Sequence, residues 1–155
     1  LRFMRAKLGE IDYLRMIYLK KDIILGSAPF CYLWFIDDYV FGACLFDFMK
    51  VDKYGIDSVA MKSDFVIDSP LDKISKLLIM GVLSTEFKAE IDIRYKLDTG
   101  IISTSVFTEK PVSMKYRGVF ELSERGIGKL YYTQRAGKLG GLEEIMKDFI
   151  KKHCK

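Results

Sequence analysis

A single histidine, His153, stands in 155 residues, two places from the end of the sequence. A multi-histidine metal centre is thereby excluded, and a serine–histidine triad would have to rest on a terminal residue. Cysteine is scarce as well. Cys31, Cys44 and Cys154 are odd in number and lack metal-ligand spacing, and two of them sit inside apolar, strand-like runs. They read as buried or incidental thiols of a reducing compartment. No apolar run approaches the roughly 20 residues needed to span a bilayer, and the first 30 residues lack the basic, apolar, small order of a secretory signal. The expectation is a cytoplasmic protein with no membrane attachment. Proline occurs only three times, and there is no repeat, low-complexity tract or linker.

What is present is core material. The chain is 50% hydrophobic and 14% aromatic, with 30% charged residues and a mean hydropathy of +0.09. That composition suits one domain over residues 1–155 and is too short for two ordinary ones. The net charge of +4 is unevenly spread. Arg2, Arg5, Lys7, Arg15, Lys20 and Lys21 load the beginning, and Lys147, Lys151, Lys152 and Lys155 load the end. Such a pattern serves either as solvated helix faces or as a footprint for a polyanion, whether DNA or a phosphorylated cofactor.

Periodicity sets the element order. Ile11, Leu14, Ile17 and Tyr18 recur at helical spacing from Glu10 to Ile24, and Gly26-Ser27-Ala28-Pro29 ends that helix. Phe30–Phe35 and Val40–Phe48 are aromatic, β-rich runs flanking Ile36-Asp37-Asp38-Tyr39, which reads as a hairpin. Ser58–Ile67 is a third strand, stopped by Asp68-Ser69-Pro70. Pro70 suits the first turn of one long helix running to about Tyr95, with Asp68 or Ser69 as its N-cap. Ile101–Phe107 reads as a strand that opens into hydroxyls, Ser103, Thr104, Ser105 and Thr108. A short helix is expected over Pro111–Gly118, then strands over Val119–Arg125 and Lys129–Arg135, and an amphipathic helix over Leu142–His153. Arg2–Leu8 fits a first strand.

Three antiparallel strands followed by a strand–helix–strand unit indicate an α/β (α+β) sandwich, a mixed sheet of six or seven strands flanked by helices. Asp64 interrupts an otherwise apolar strand, where a carboxylate is costly unless paired or functional.

This order, carried by Ile67-Asp68-Ser69-Pro70-Leu71-Asp72-Lys73-Ile74-Ser75-Lys76 and by Ser113-Met114-Lys115-Tyr116-Arg117-Gly118-Val119-Phe120, resembles the GNAT acyltransferase fold over nearly the whole chain. The resemblance implies acetyl-CoA or a related acyl-CoA as cofactor. Its pyrophosphate would be held by backbone N–H groups at a helix N-terminus, with Val66, Ile67, Asp68, Lys73, Ser75 and Lys76 in the binding positions. It also implies a fifth strand splayed from the fourth, and Tyr116 as general acid. The glycine-rich pattern Q/R-x-x-G-x-G/A of the family is absent, Lys73 and Ser75 standing nearest to it.

More narrowly, Ile17-Tyr18-Leu19-Lys20, Phe41-Gly42-Ala43-Cys44-Leu45-Phe46, Ser63-Asp64-Phe65-Val66-Ile67-Asp68 and Pro111–Gly118 look like the bacteriophage Mom-type DNA-modification proteins, GNAT-like enzymes that alter adenine N6 and so defeat restriction. This resemblance implies double-stranded DNA as partner and a catalytic set of Tyr116, Asp64, Tyr18, Ser103 and Ser113. Extracting a base from the stack calls for aromatic walls and phosphate contacts, for which Trp34, Lys20, Lys21 and Arg117 are the candidates, with Tyr32 and Phe30 nearby. Lys20 stands where that family has histidine, and a protonated lysine ligates no metal, so no metal ligands are assigned. The alternatives are an acyl-CoA-dependent N-acetyltransferase acting on a small molecule or protein, and a catalytically inert GNAT-like binding protein. A homodimer is compatible with the sequence.

Overall fold

The computed structural model describes residues 1–18, 28–47, 50–51, 57–67 and 73–154. Lys20, Lys21 and Asp68, named above as site residues, lie outside that set, as does the expected helix start at Ser69-Pro70. The described elements are β1 (Arg2–Ala6), α1 (Leu8–Tyr18), β2 (Phe30–Ile36), β3 (Tyr39–Phe46), β4 (Lys50–Val51), β5 (Asp57–Val66), α2 (Ile74–Val82), α3 (Thr85–Tyr95), β6 (Ile101–Phe107), β7 (Glu121–Gly126), β8 (Lys129–Arg135) and α4 (Leu142–His153).

Seven strands form one sheet in the order β1-β2-β3-β5-β6-β8-β7, and the two-residue β4 pairs with β5 off that path. Every pairing is antiparallel except β5 with β6. The architecture is therefore the expected mixed, largely antiparallel sheet with flanking helices. Asp37, at φ 51°, turns the β2–β3 hairpin, a backbone position that a short polar side chain tolerates.

Helices cover both faces. α1 lies on one face, where Ile11 meets Cys31, Ala43, Leu45 and Phe65. The other face carries the larger core, with Leu77 and Leu78 of α2, Phe87 and Ile91 of α3, and Ile145 and Phe149 of α4 against Tyr32, Trp34, Phe46, Val59 and Ile102. Phe87 is the hub of that layer. The rings of Phe3, Tyr32, Trp34 and Phe46 surround it at centroid distances of 4.9 to 5.4 Å, spacings at which aromatic pairs attract beyond their buried area.

Two expected helices are built differently. The long helix is broken after Val82: Leu83 ends α2, and the Ser84 side chain accepts the Phe87 N–H at 3.1 Å, capping α3. A serine that satisfies an orphan amide starts a new helix more effectively than it continues an old one. The second difference is at Pro111–Gly118, where the chain forms turns rather than a helix, with Arg117 N–H bonded to Ser113 O and Val119 and Phe120 N–H both bonded to Tyr116 O. Eight residues closed by Gly118 at φ 81° are too few to offset the cost of helix nucleation when side chains can bond to the sheet instead.

Candidate active site

A bulge in β5 determines what the centre of the sheet displays. Phe46 pairs with Met61, but the next residue back on β3, Leu45, pairs with Ser63. Lys62 is thus an extra residue without a pairing partner on β3, and such an insertion transfers the following side chains to the opposite face. Val59 and Met61 point into the core under α2 and α3, and beyond the bulge Phe65 joins the α1 side. Asp64 is re-aimed with it and stands beside Cys44, its register partner on β3.

The same strand loses its other neighbour at that level. β5 and β6 are paired only over Ser58–Met61 against Ile101–Thr104. Farther along, β5 stays with β3 as far as Val66, and β6 stays with β8 as far as Phe107. The sheet therefore parts between two central strands, with the Thr104 hydroxyl donating to Met61 O at 3.1 Å where the gap begins.

The 111–120 turn brings two side chains to this opening. Tyr116, only 3% exposed, donates its hydroxyl to Asp64 Oδ1 at 2.5 Å. Its ring is held by a stacked contact with Tyr132 (5.2 Å, 26°) and an edge contact with Phe120 (5.5 Å, 88°). Tyr132 in turn accepts the Ser113 N–H at 2.8 Å, which anchors the turn to β8. Lys115 places its ammonium against Asp64 Oδ2, an oxygen with no other hydrogen-bond partner. Across the strand, the Trp34 indole N–H donates to Cys44 Sγ at 3.1 Å.

These groups titrate unusually because of where they lie. Burial pushes the Tyr116 hydroxyl up to about 12, with the Thr104 hydroxyl working the other way. Tyr116 is therefore a proton donor, not a phenolate, at neutral pH. Burial takes the Lys115 ammonium down to about 8, partly offset by Cys44. The Asp64 carboxyl lies in contact with that ammonium. Cys44 is pushed up to about 12 by burial and remains a thiol.

The fold has parallels in known proteins. Residues 1–154 match the family described as a phage GNAT-like domain. The chain belongs to that family. No functionally curated protein matches the sequence, but solved structures share the phage GNAT-like protein's fold. An aminoglycoside N(6′)-acetyltransferase from Legionella pneumophila is 12% identical, with a TM-score of 0.53 over 95% of both chains. Arabidopsis thaliana Naa50, in complex with the bisubstrate analogue CoA-Ac-MVNAL, is 14% identical with a TM-score of 0.51, covering 86% of this chain and 99% of its own. The Campylobacter jejuni N-acetyltransferase PseH is 13% identical with the same TM-score, covering 86% of this chain and 96% of its own.

Of the residues named from the sequence, Asp64 and Tyr116 are in direct contact, and Ser113 adjoins them through its backbone amide. Ser103 does not. It faces away from the buried side chains of Ile102 and Thr104, because alternate residues of a strand point to opposite faces, and Thr104 is the hydroxyl at the gap. Tyr18 ends α1 and is 47% exposed; its helix packs on the opposite face of the sheet. Trp34 is 0% exposed, clamped between Phe3, Phe87 and Cys44, and offers no wall to a substrate. Tyr32 is buried as well, and Phe30 packs against Tyr95.

Among the cofactor positions, Val66 pairs with Gly42 and the Ile67 N–H is already bonded to Phe41 O at 2.8 Å. Lys73 precedes α2 in a left-handed conformation and gives it no side-chain cap. Ser75 and Lys76 lie in the first turn, and Lys76 Nζ donates to Arg117 O at 2.8 Å, tying α2 to the turn that carries Tyr116. Among the described residues of the basic N-terminus, Arg2 pairs with Asp38, Arg5 with Glu90 and Arg15 with Asp12. Among the described residues, no group of three or more potential metal ligands gathers, and no helix is long and apolar enough to cross a membrane.

Sequence reasoning gave Lys115 no role and named Thr104 only as one of four hydroxyls. Strand alternation with the parallel register would have singled out Thr104; Lys115 carries no periodic signal, only its place beside Tyr116.

Proposed function

We propose that this protein is an N-acyltransferase that moves an acyl group from a coenzyme A thioester to an amine in the gap between β5 and β6. The observation that carries this reading is the Tyr116 hydroxyl bonded to Asp64 across that gap. An amine attacks the thioester carbonyl, the carbon–nitrogen bond forms, the carbon–sulfur bond breaks, and the amine's proton passes to solvent. The departing thiolate needs a proton. Tyr116 supplies it, Asp64, touching both Tyr116 and the Lys115 ammonium, returns a proton to the phenolate from Lys115, and Lys115 regains its proton from solvent. An acid whose pKa lies near the working pH is suited to that step. The parted strands supply a slot for an extended donor arm, and the start of α2 supports an anionic group there.

The assay is release of free thiol from acetyl-CoA with a panel of amines. Turnover that is lost in Tyr116→Phe and Asp64→Asn, both still folded, supports these roles. Full activity in both variants, or no thermal stabilisation by acetyl-CoA, rejects them.

A narrower reading has adenine N6 of double-stranded DNA as the acceptor amine and protection from restriction as the outcome. The membership in a phage GNAT-like family and the likeness to Mom-type sequences favour it. The exocyclic amine of adenine is a poor nucleophile, so positioning and proton management would carry much of the rate. Mass spectrometry of nucleosides from DNA of cells making the protein decides the matter: unaltered adenine leaves another amine as the substrate.

A further inference from the structure

Among the described residues, the one amine in contact with Asp64 is the chain's own Lys115. It reaches the β5–β6 opening from the 111–120 turn, with its nitrogen 5.6 Å from the Tyr116 ring centroid and its side chain 24% exposed. Tyr116 holds Asp64 Oδ1 and Lys115 Nζ lies against Oδ2, so a single carboxyl group separates the proposed proton donor from a primary amine. A thioester whose leaving sulfur is protonated by Tyr116 brings its carbonyl carbon within the sweep of the flexible lysine stem.

The neighbouring nucleophiles are held out of such a reaction. Cys44 is buried, accepts the Trp34 indole N–H and remains a thiol. The Tyr116 hydroxyl is committed to Asp64 and stays protonated until about pH 12. Lys115 differs, because burial takes its ammonium down to about 8. Free amine is the form that attacks a carbonyl, and an appreciable share of Lys115 is in that form just above neutrality.

We propose that Lys115 is itself an acyl acceptor: with a thioester in the β5–β6 gap and no substrate amine beside it, the chain acylates its own side chain and switches itself off. The inference rests on the reading of that gap as a thioester site. The Lys115 ammonium first gives one proton to solvent. Its free amine attacks the thioester carbonyl, the carbon–nitrogen bond forms and the carbon–sulfur bond breaks. A second proton from the nitrogen passes to the departing thiolate, leaving a free thiol and a neutral amide. Acyl-Lys115 has no ammonium to set against Asp64 and no proton to return to Tyr116, so transfer to other amines stops on that chain.

The test incubates the whole protein with acetyl-CoA alone and follows intact mass and peptide mapping. The expected result is one acetyl group per chain, on Lys115, gained about tenfold faster than at Lys110, absent in Lys115→Arg and retained in Lys110→Arg. Its rate rises about tenfold from about pH 7 to about pH 9, as the free amine forms, the reverse of the decline expected for transfer to other amines. Protein acetylated in this way and freed of acetyl-CoA loses thiol release in proportion to the acetylated fraction. Acetylation of Lys115 no faster than of Lys110, or an acetylated chain as active as the untreated one, overturns the proposal. Thiol release to added amines with Lys115 left unmodified overturns it too, and leaves the transfer reading intact. Neither thiol release nor thermal stabilisation by acetyl-CoA rejects both.

Discussion

The Tyr116 hydroxyl meets Asp64 Oδ1 at 2.5 Å in the one place where β5 and β6 have parted. Two side chains thus connect β5 to the turn that follows β6, and both are needed for the arrangement. Tyr116→Phe removes the donor while keeping the ring packed on Tyr132 and Phe120. We expect kcat for thiol release to fall about 100-fold or more with KM little changed, and stability to fall by about 1–3 kcal/mol because Asp64 loses a buried partner. Steady-state kinetics and urea unfolding of the same preparation separate the two effects.

Lys115 gives the reaction a pH signature. Its ammonium is taken down to about 8 by burial, and the proposed route needs it protonated, so kcat/KM should decline above about pH 8. Asp64→Asn withdraws the adjacent negative charge, disfavours the ammonium and moves any residual alkaline limb to lower pH. Lys115→Met removes the limb. A wild-type profile that rises through pH 8 would instead assign Lys115 the role of base.

The same groups affect folding in opposite directions. The folded-state value of Lys115, about 8, lies below its ordinary 10.5. Between those values the unfolded chain binds more protons, and this group's contribution makes stability rise with pH. For Tyr116 the folded value of about 12 lies above the ordinary 10.0, so its contribution is lost as pH climbs between them. Denaturant melts of wild type, Lys115→Met and Tyr116→Phe at pH 7, 9 and 11, values set by about one pH unit on either side of these titrations, should show the first trend missing in Lys115→Met and the second missing in Tyr116→Phe.

Strand order and the terminal helix were legible because they are local: alternation and 3.6-residue periodicity are written in consecutive residues, and Leu142–His153 spans the bounds its pattern indicates. Asp64 was legible as an anomaly of composition. What faces what was not, because it depends on register. Simple alternation from Met61 sends Asp64 to the wrong side of the sheet, and only the bulge at Lys62 corrects it. Ser103 was chosen over Thr104 for the same reason, since parity along β6 means nothing until a neighbouring strand fixes the face. Trp34 was misjudged because an aromatic beside a turn looks identical whether it ends in the core or on the surface.

Close packing under α2 yields a further expectation. A Cβ added at Gly81 would stand 2.5 Å from the Trp34 ring, too near for any carbon pair, and Trp34 is itself fixed by Phe3, Phe87 and Cys44. Gly81→Ala should therefore cost about 1–3 kcal/mol in spite of its better helix propensity. Ser84→Ala, which removes the α3 cap, should cost about 1 kcal/mol. Thermal unfolding of the two single variants and the double variant tests both.

The register argument has its own experiment in adjacent residues of β6. Thr104 faces Tyr116 and bonds Met61 O at the start of the gap, whereas Ser103 points to the opposite face. Thr104→Val keeps the shape and removes the hydroxyl, leaving a buried carbonyl without its side-chain donor, so stability should fall by about 1–3 kcal/mol. It also removes the contact that lowers Tyr116, so the Tyr116 phenol becomes harder to ionise and thiol release slows. Ser103→Ala should leave both unfolding and thiol release near wild type. The opposite ranking, with Ser103→Ala the slower enzyme, would mean that β6 presents its other face to the reacting groups and that the parted strands are not the transfer site.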